Sequence, residues 1–263
     1  MRWGWICAKI LALSASGLFF LTTATLAADI KVMISGGMTA AYKVLVTEFE
    51  TKTGHKVTTS FGPSMGATPQ AIPSRLERGE PADVVIMVGY ALGELVKQGK
   101  VVADSRVDLV RSSIGMVVRA GAPKPDISTV DALRKTLLAA KSIAYSDSAS
   151  GVYISTELFP RLGIANEMAG KARMIPAEPV GAVVARGDAE LGFQQISELL
   201  HVPGVTLVAP LPADAQRVTI FSAGIATAAV ERQAGLALIE FLASPAAIPA
   251  LKESGLEPIA GSK

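Results

Sequence analysis

An apolar run at residues 82–88 (ADVVIMV) places the strongest constraint on the fold of this chain. A strand of a half-exposed sheet alternates apolar and polar residues, whereas a continuous apolar run is typical of a strand buried on both faces of a parallel sheet. Strand-like segments at residues 29–35 and 56–61 precede it, and helical patterns at residues 40–53 and 68–78 separate the three. This β-α-β-α-β order with short links predicts a doubly wound α/β sheet.

A second α/β unit follows the first. Segments of strand and helix character alternate again from residue 114 onwards, and Ser128 or Thr129 is in place to cap the first of these helices. We expect strands at 114–119, 142–145, 172–175, 191–193, 206–209 and 218–225, and helices at 129–139, 151–162, 229–242 and 246–253. The pattern predicts two lobes, residues 28–112 plus 220–263 and residues 113–219.

Residues 1–27 have the three parts of a cleavable signal peptide. A short basic start, an apolar stretch at residues 10–21 and small residues at the −3 and −1 positions of a cleavage site, Thr25 and Ala27, follow one another. The apolar stretch is shorter than the about 20 residues that a membrane-spanning helix needs. We therefore expect a mature protein that starts near Ala28, is exported to the periplasm and does not insert into the membrane.

The charge balance argues against a nucleic-acid partner. The full chain has 25 Lys and Arg against 23 Asp and Glu, and removal of the signal peptide takes away Arg2 and Lys9, which makes these numbers equal. Nucleic-acid-binding proteins carry a strongly basic face, which such a balance does not predict. The same cleavage removes Cys7, the only cysteine, so we expect neither a disulfide framework nor a cysteine-ligated metal.

Small polar residues follow four of the predicted strands, at residues 35–39, 62–66, 146–153 and 194–195. Ligands of open α/β sheets bind at the carboxyl ends of the strands. The first three loops run into a helix N-terminus, where free N–H groups and the helix dipole favour an anion. Each loop alone could be a simple helix cap, but three together predict a site for a small anion. The candidate ligand-binding residues are Ser35, Gly36, Gly37, Met38, Ser64, Met65, Ser148, Ser150, Gly151, Val152 and Gln194.

Motifs of common catalytic machinery are absent from the sequence. It has no phosphate-binding P-loop, no G-x-G-x-x-G and no G-x-S-x-G. His55 and His201 lie away from the four loops and are expected at the surface, which argues against a Ser-His-Asp triad and a histidine-ligated metal. We predict a site with no metal and no cofactor.

Three residues are candidates for proton transfer: Tyr90, Asp147 and Tyr153. Tyr90 follows the strand at residues 82–88 and could reach the same cleft, although a surface position on a helix is an equal alternative. Asp147 lies inside the third loop, where a turn or capping role is the alternative to a general base. Met38 and Met65 flank two loops, and we expect them to form walls or core rather than to bind a soft metal.

Three segments of the chain carry a family resemblance: 78–84 (RGEPADV), 150–153 (SGVY) and 238–245 (LIEFLASP). Together with the first strand and its polar loop, they resemble the periplasmic molybdate-binding proteins, the receptors of a bacterial ABC importer. The resemblance implies a type II periplasmic-binding-protein fold, in which two doubly wound lobes joined by a two-strand hinge close over an anion. It also implies an ABC permease as partner and no metal cofactor, since molybdate or tungstate is itself the ligand.

The loops depart from the usual family pattern at residues that would hold the oxyanion. Gly37 and Gln194 stand where the family usually has a serine and a tyrosine, and the second loop has Ser64 where a serine-rich loop is usual. A tetrahedral oxyanion would thereby lose hydrogen bonds, at about 1.5–3 kcal/mol for each bond to a charged group. The set of loops is similar instead to a divergent branch of the family that includes an exported aconitate isomerase.

Two functions are therefore expected. In the first, the protein is an isomerase that interconverts cis- and trans-aconitate by an allylic proton shift. The loops would hold the carboxylates and stabilise a dienolate through their N–H groups, as an oxyanion hole does, while Tyr90, Asp147 or Tyr153 would transfer the proton. In the second, the protein is a non-catalytic receptor that closes over molybdate, another oxyanion or a small carboxylate.

Overall fold

The computed structural model describes residues 1, 27–176 and 178–259, so the predicted signal peptide lies almost entirely outside the described residues. The strands are β1 (Asp29–Ile34), β2 (Lys56–Phe61), β3 (Val84–Val88), β4 (Val107–Ser112), β5 (Ile114–Arg119), β6 (Ile143–Ser146), β7 (Ala172–Ile175), β8 (Leu191–Gln195), β9 (Val205–Pro210), β10 (Thr219–Ile225) and β11 (Glu257–Pro258). The helices are α1 (Thr39–Thr53), α2 (Ile72–Glu77), α3 (Gly89–Lys97), α4 (Val130–Ala139), α5 (Ala149–Tyr153), α6 (Phe159–Arg161), α7 (Ala165–Met168), α8 (Val180–Ala185), α9 (Ile196–Leu199), α10 (Arg232–Leu242) and α11 (Ile248–Glu253). A π-helical segment, Ile154–Leu158, joins α5 to α6, and a short 3-10 helix, Gly36–Met38, precedes α1.

The strands form two mixed sheets. The first has the order β11-β4-β10-β3-β1-β2, and the second has the order β7-β6-β8-β5-β9. In each sheet three neighbours are parallel, β2-β1-β3 and β7-β6-β8. Next to these, β10 in the first sheet and β5 in the second run antiparallel to both of their neighbours, as does β4 between β10 and β11. The chain crosses between the sheets after β4 and returns before β10, so two crossing segments connect them. The lobe boundaries at residues 112/113 and 219/220 stay a prediction.

Strand β3 is buried on both faces, as the apolar run predicts. All of its residues are buried, and they alternate between two apolar clusters. Val84, Ile86 and Val88 pack in the cluster that includes residues of α1 and α10, whereas Val85 and Met87 pack in the cluster on the other face. This strand therefore joins the two helical layers that cover the first sheet.

Most predicted elements have the expected bounds within two residues. Gly54 ends α1 in the left-handed conformation, with a φ of 76°, as expected for the residue after a helix. Thr129 caps α4 by accepting a hydrogen bond from the backbone N–H of Ala132. The helix predicted at residues 68–78 is shorter, because α2 begins only at Ile72 and has Pro73 in its first turn. A proline lacks the N–H that a helix interior needs, so it belongs at a helix start.

Asp83, within the segment 78–84, ties the first sheet to a distant helix. Its side chain is 3% exposed and lies just before β3. Oδ2 accepts a hydrogen bond of 2.7 Å from the backbone N–H of Lys31 in β1. Oδ1 accepts two of 2.8 Å from the N–H groups of Val230 and Glu231, which precede α10. One buried carboxylate thus satisfies three backbone donors from two remote parts of the chain.

The C-terminal helices pack on the first sheet. Leu238 and Leu242 of α10 and Leu251 of α11 belong to the same apolar cluster as Leu45 of α1. No single helix in the described ranges is long and apolar enough to cross a membrane. Residues 232–242 and 245–253 form a pair of helices bent by 58°, and this pair could cross a membrane by length and composition only.

Candidate functional site

A cavity of about 580 Å³ opens where the carboxyl ends of the parallel strands of both sheets meet. This is the location that the doubly wound fold predicts for a ligand. From the first sheet and its helices it is lined by Ser35, Gly36, Gly37, Thr39, Ala40, Lys43, Phe61, Gly62, Pro63, Gln70, Val88 and Phe221. From the second it is lined by Ser146, Asp147, Ser148, Ala149, Ser150, Glu178, Pro179, Gln194, Gln195, Ser197, Glu198, His201 and Val202. The volume is in the range of about 300–1,000 Å³ that is common for small-molecule sites.

The first polar loop brings backbone and a free hydroxyl to the cavity. The Ser35 side chain is 3% exposed, and its hydroxyl has no hydrogen-bond partner among the residues that the structure describes. A Cβ on Gly37 would lie 2.1 Å from the ring of Phe221, so only glycine lets the loop pass this ring. The Gly37 carbonyl accepts a hydrogen bond of 2.6 Å from the hydroxyl of Ser197 in α9. The loop is therefore fixed to a helix that follows the second sheet.

The third polar loop provides two buried hydroxyls. Ser146 ends β6, Ser150 lies in the first turn of α5, and their hydroxyl oxygens are 2.9 Å apart. The helix passes so close to the strand that a Cβ on Gly151 would lie 1.7 Å from the backbone oxygen of Ser146. Gly151 thus permits the tight turn that holds Ser148 and Ser150 at the cavity wall.

The orientation of Gln194 is determined by its partners. Its Oε1 accepts a hydrogen bond of 3.0 Å from the backbone N–H of Val180, and a backbone N–H can only donate. Nε2 must therefore point the other way, where it donates to Oε1 of Glu198 at 3.0 Å. Both ends of the Gln194 amide are occupied by the protein itself.

Gln195 has a less restricted amide. Its Nε2 lies 2.9 Å from the Thr219 hydroxyl, and its Oε1 is buried with no partner in the described part of the chain. A threonine hydroxyl can either donate or accept a hydrogen bond, so it can pair with either end of the Gln195 amide. The amide can therefore rotate by half a turn, which exchanges the positions of Nε2 and Oε1. Gln195 can therefore offer a ligand either a donor or an acceptor.

Glu198 is the carboxylate with the most perturbed environment in the cavity. Burial raises its pKa to about 7, and the negative charge of Asp147 acts in the same direction. The hydrogen bonds from the Gln194 side chain and the Gln195 backbone lower the pKa and only partly offset burial. Oε1 of Glu198 lies 2.0 Å from the place where a Cβ of Gly36 would be. The carboxyl group therefore rests directly on the glycine backbone of the first loop.

The charges around the cavity are mixed. Lys43 is the one lysine or arginine among the described lining residues, and Asp147, Glu178 and Glu198 are acidic. Glu178 pairs with Arg186, whose guanidinium holds the pKa of that carboxyl below its usual range. An anion in this cavity is thus held by hydrogen-bond donors more than by a field of positive charge.

Several candidate ligand-binding residues do not line the cavity. Met38 is fully buried in the first core. The hydroxyl oxygen of Ser64 accepts a hydrogen bond of 3.0 Å from the backbone N–H of Val88, which gives this residue a structural contact. The Met65 sulfur accepts a hydrogen bond of 3.6 Å from the Tyr90 hydroxyl.

The third loop also contains residues that point elsewhere. Val152 is 41% exposed, and Gly151 faces Ser146 as described above. The Tyr153 side chain is buried, and its hydroxyl donates to the backbone oxygen of Ala215 at 2.9 Å. Tyr90 is 60% exposed and also lies outside the cavity lining. Of the three predicted proton-transfer residues, the structure brings only Asp147 to the cavity wall.

Cavity residues on and around α9 were not predicted from the sequence. Glu198 lies three residues after the end of β8, so following the fourth loop into the next helix would have indicated it. His201 lines the cavity as well, and the expectation that it lies away from the site is wrong. His55 is buried rather than at the surface, and its Nδ1 accepts a hydrogen bond of 3.1 Å from the backbone N–H of Ala28. Among the described residues no three His, Cys, Asp or Glu side chains are grouped as metal ligands would be.

Known proteins share the sequence and the architecture of this chain. It is 51% identical to the aconitate isomerase of Pseudomonas sp. over 255 residues, which cover 95% of this chain and 97% of that protein. It is 29% identical to the molybdate-binding protein ModA of Azotobacter vinelandii over 257 residues, 92% of this chain and 94% of that protein.

A solved structure agrees with the fold. The periplasmic molybdate-binding protein of Azotobacter vinelandii superposes with a TM-score of 0.68 at 21% identity, over 86% of this chain and 98% of that one. The expected two-lobed periplasmic-binding-protein fold is thereby confirmed. The sequence pattern of the bacterial extracellular solute-binding proteins matches residues 30–257. Since this match spans most of the chain, and the resemblance seen in the polar loops points the same way, the chain belongs to the bacterial extracellular solute-binding protein family.

Proposed function

We propose that this protein is an exported isomerase that interconverts cis- and trans-aconitate by an allylic proton shift. The cavity between the two sheets is the proposed active site. The observation that carries the proposal is the set of neutral hydrogen-bond donors on its walls, of which the buried Ser35 hydroxyl has no partner within the described residues. The similarity to the aconitate isomerase of Pseudomonas sp. supports the same reaction, since it extends along 95% of the chain.

Aconitate is planar around its double bond and carries three carboxylates, which accept hydrogen bonds in the plane of each group. Ser35 and the N–H groups of Gly36 and Gly37 would bind one carboxylate from the first sheet. Ser148 and Ser150 would bind another from the second sheet, where α5 begins. These donors would also stabilise the dienolate that forms when the substrate loses a proton, because its negative charge spreads onto a carboxylate.

The contacts of Gln194, together with the absence of a side chain at Gly37, favour a carboxylate substrate over a tetrahedral oxyanion. Molybdate would need donors at the places of Gly37 and Gln194, where the resemblance implies a serine and a tyrosine. Gly37 has no side chain, and both ends of the Gln194 amide are bound to Val180 and Glu198. Gln194 is therefore better suited to position Glu198 than to bind the ligand itself.

The proposed location is the periplasm, with a mature chain that starts near Ala28. Residues 28–112 plus 220–263 would form one lobe and residues 113–219 the other. The cavity lies where both sheets contribute residues, so relative motion of the lobes would admit and enclose the substrate.

Purified mature protein mixed with cis-aconitate tests the proposal. Proton NMR distinguishes the vinyl resonances of the two isomers, and we expect the trans isomer to accumulate until equilibrium is reached. The reverse reaction from trans-aconitate should end at the same ratio. If neither isomer is converted at any pH between 5 and 9, the isomerase proposal is wrong.

A second candidate function is a non-catalytic receptor that delivers an anion to an ABC permease. The similarity to ModA of Azotobacter vinelandii favours it. Calorimetric titration with molybdate, tungstate, sulfate, citrate and aconitate separates the two functions. Tight binding of molybdate together with inert aconitate would favour the receptor, whereas aconitate binding with turnover would favour the isomerase.

A further inference from the structure

Glu198 occupies the cavity wall at the position that an acid–base catalyst needs. The proposed isomerisation requires one group that takes a proton from a carbon of aconitate and returns a proton to another. Tyr90 and Tyr153 lie outside the cavity lining, and the hydroxyl of Tyr153 is bound to the backbone of Ala215. We infer that Glu198 is the catalytic residue that exchanges this proton, an inference that rests on the proposed function.

The position of the Glu198 carboxyl is fixed from two sides. The Gln194 amide donates to its Oε1 at 3.0 Å, and the Val180 N–H prevents that amide from turning over. On the other side, Oε1 rests on the backbone of Gly36, where any side chain would collide with it. Gly36 belongs to the loop that is proposed to bind a substrate carboxylate, so the base lies next to the carbon beside that carboxylate.

The protonation state of Glu198 suits both halves of the reaction. An exposed glutamate is fully ionised at neutral pH and is a poor proton donor, whereas burial raises the pKa of Glu198 to about 7. A catalyst whose pKa lies near the working pH can both accept and return a proton. Lys43, Asp147, Glu178 and His201 are the other charged or titratable side chains that line the cavity with Glu198.

The proton and the electrons balance without any co-reactant. The ionised Glu198 takes a proton from the methylene carbon of aconitate, and the electrons of the broken C–H bond form the dienolate. The double bond then shifts by one position as the protonated Glu198 gives a proton to the former vinylic carbon. The new double bond joins the central carbon to the former methylene carbon, so the conformation about this bond when the proton is removed determines whether the product is cis or trans, and the carboxylate of Glu198 is regenerated.

The matched test is Glu198→Gln in the mature protein. Glutamine occurs as readily as glutamate at this position of a helix start, so the substitution keeps the shape and the capping ability while it removes the titrating group. We expect a loss of kcat of about 10²–10⁴-fold, the usual contribution of general acid–base catalysis, with aconitate affinity by calorimetry changed less than about threefold. Glu198→Asp should recover part of the activity, and Glu240→Gln, which removes an exposed carboxylate from α10, should retain it.

Isotope exchange and the pH profile give readouts that a structural role of Glu198 would not change. In D₂O the wild-type protein should introduce deuterium into aconitate during isomerisation, and Glu198→Gln should not. The wild-type kcat/KM should fall as pH decreases below about 7, because the base becomes protonated. His201→Gln is measured beside it, because the His201 side chain also lines the cavity.

The possible outcomes separate the assignment of Glu198 from the proposed function. If the wild-type protein isomerises aconitate and Glu198→Gln keeps full activity and deuterium incorporation, the assignment of Glu198 is wrong and the proposed function stands. If His201→Gln abolishes the acidic limb and Glu198→Asp does not restore activity, the assignment is also overturned. A wild-type protein that does not isomerise aconitate overturns the proposed function and this inference with it.

Discussion

The buried carboxylate of Asp83 gives the most quantitative prediction for the stability of this fold. Its two oxygens accept three backbone hydrogen bonds, from Lys31, Val230 and Glu231, at 2.7, 2.8 and 2.8 Å. Asp83→Ala removes every acceptor and leaves three N–H groups unpaired, each at a cost of about 1–3 kcal/mol. Since the bonds are only partly buried, we expect a loss of about 3–6 kcal/mol, a large part of the about 5–15 kcal/mol that stabilises a typical domain.

Asp83→Asn tests the same contacts more gently. An asparagine keeps one acceptor oxygen, which can serve Val230 and Glu231, but its NH₂ group then faces the N–H of Lys31. One charge-assisted hydrogen bond is lost and two donors oppose each other, so the expected loss is about 2–4 kcal/mol. Asp29→Asn, at the start of β1, is the control, because Asp29 is exposed and accepts a hydrogen bond from Thr58 at the surface, where changes stay within about 0.5 kcal/mol.

Urea denaturation of the mature proteins, followed by far-ultraviolet circular dichroism, measures these differences. We expect the order Asp83→Ala, Asp83→Asn, Asp29→Asn, from the least to the most stable. An Asp83→Asn protein with the same free energy of unfolding as Asp29→Asn would refute the view that Asp83 holds β1 and the start of α10 together.

Three further predictions concern the cavity. Ser35→Ala should leave the free protein equally or more stable, because it removes a buried hydroxyl that has no partner in the described chain, while calorimetry should show weaker aconitate binding. Gln194→Met should move the acidic limb of the isomerase pH profile to higher pH, since the carboxylate of Glu198 loses a hydrogen bond that favours its charged form. An unchanged limb would contradict a role of the Gln194 hydrogen bond in lowering the pKa of Glu198. The pKa of Glu198 is raised above that of an unfolded chain, so its carboxyl favours the folded state at acidic pH and this contribution fades as pH rises through about 7. The free energy of unfolding of Glu198→Gln should therefore depend less on pH between about 4.5 and 7 than that of the wild type, and equal slopes in denaturant titrations would count against the raised pKa.

Where the sequence predicts a strand or a helix, most of the bounds agree with the structure because they depend on local patterns, although β4, α3 and α8 were not predicted. The apolar run in β3 indicated a strand buried on both faces, and Gly54 marked the end of α1. The antiparallel direction of β5 and β10 has no local signal, since it follows from where the chain crosses between the sheets. The late start of α2 depends on Pro69 and Pro73, whose effect on the first turns a pattern of apolar residues does not show.

Only the part of the site that lies in the polar loops could be predicted from the sequence. Ser35, Gly36, Gly37, Ser148, Ser150 and Gln194 line the cavity because carboxyl ends of parallel strands meet there. Tyr153 shares a loop with Ser150, yet its side chain leaves the helix on the side of Ala215, and that direction depends on how the helix packs. Glu198 was missed because it lies on α9, a helix of four residues with little apolar periodicity. Its role follows from burial and from contact with Gly36, which only tertiary structure creates.

The hydrogen bond from the Ser197 hydroxyl to the Gly37 carbonyl has a mechanical consequence. It joins a helix that continues from the second sheet to the loop that leaves the first. When two rigid bodies rotate against each other, only points near the axis keep their separation. The bond can therefore persist through lobe motion only if the axis passes close to α9, which makes this contact a pivot. Glu198, the next residue, would then turn almost in place beside Gly36, while residues farther from the axis would move through longer arcs.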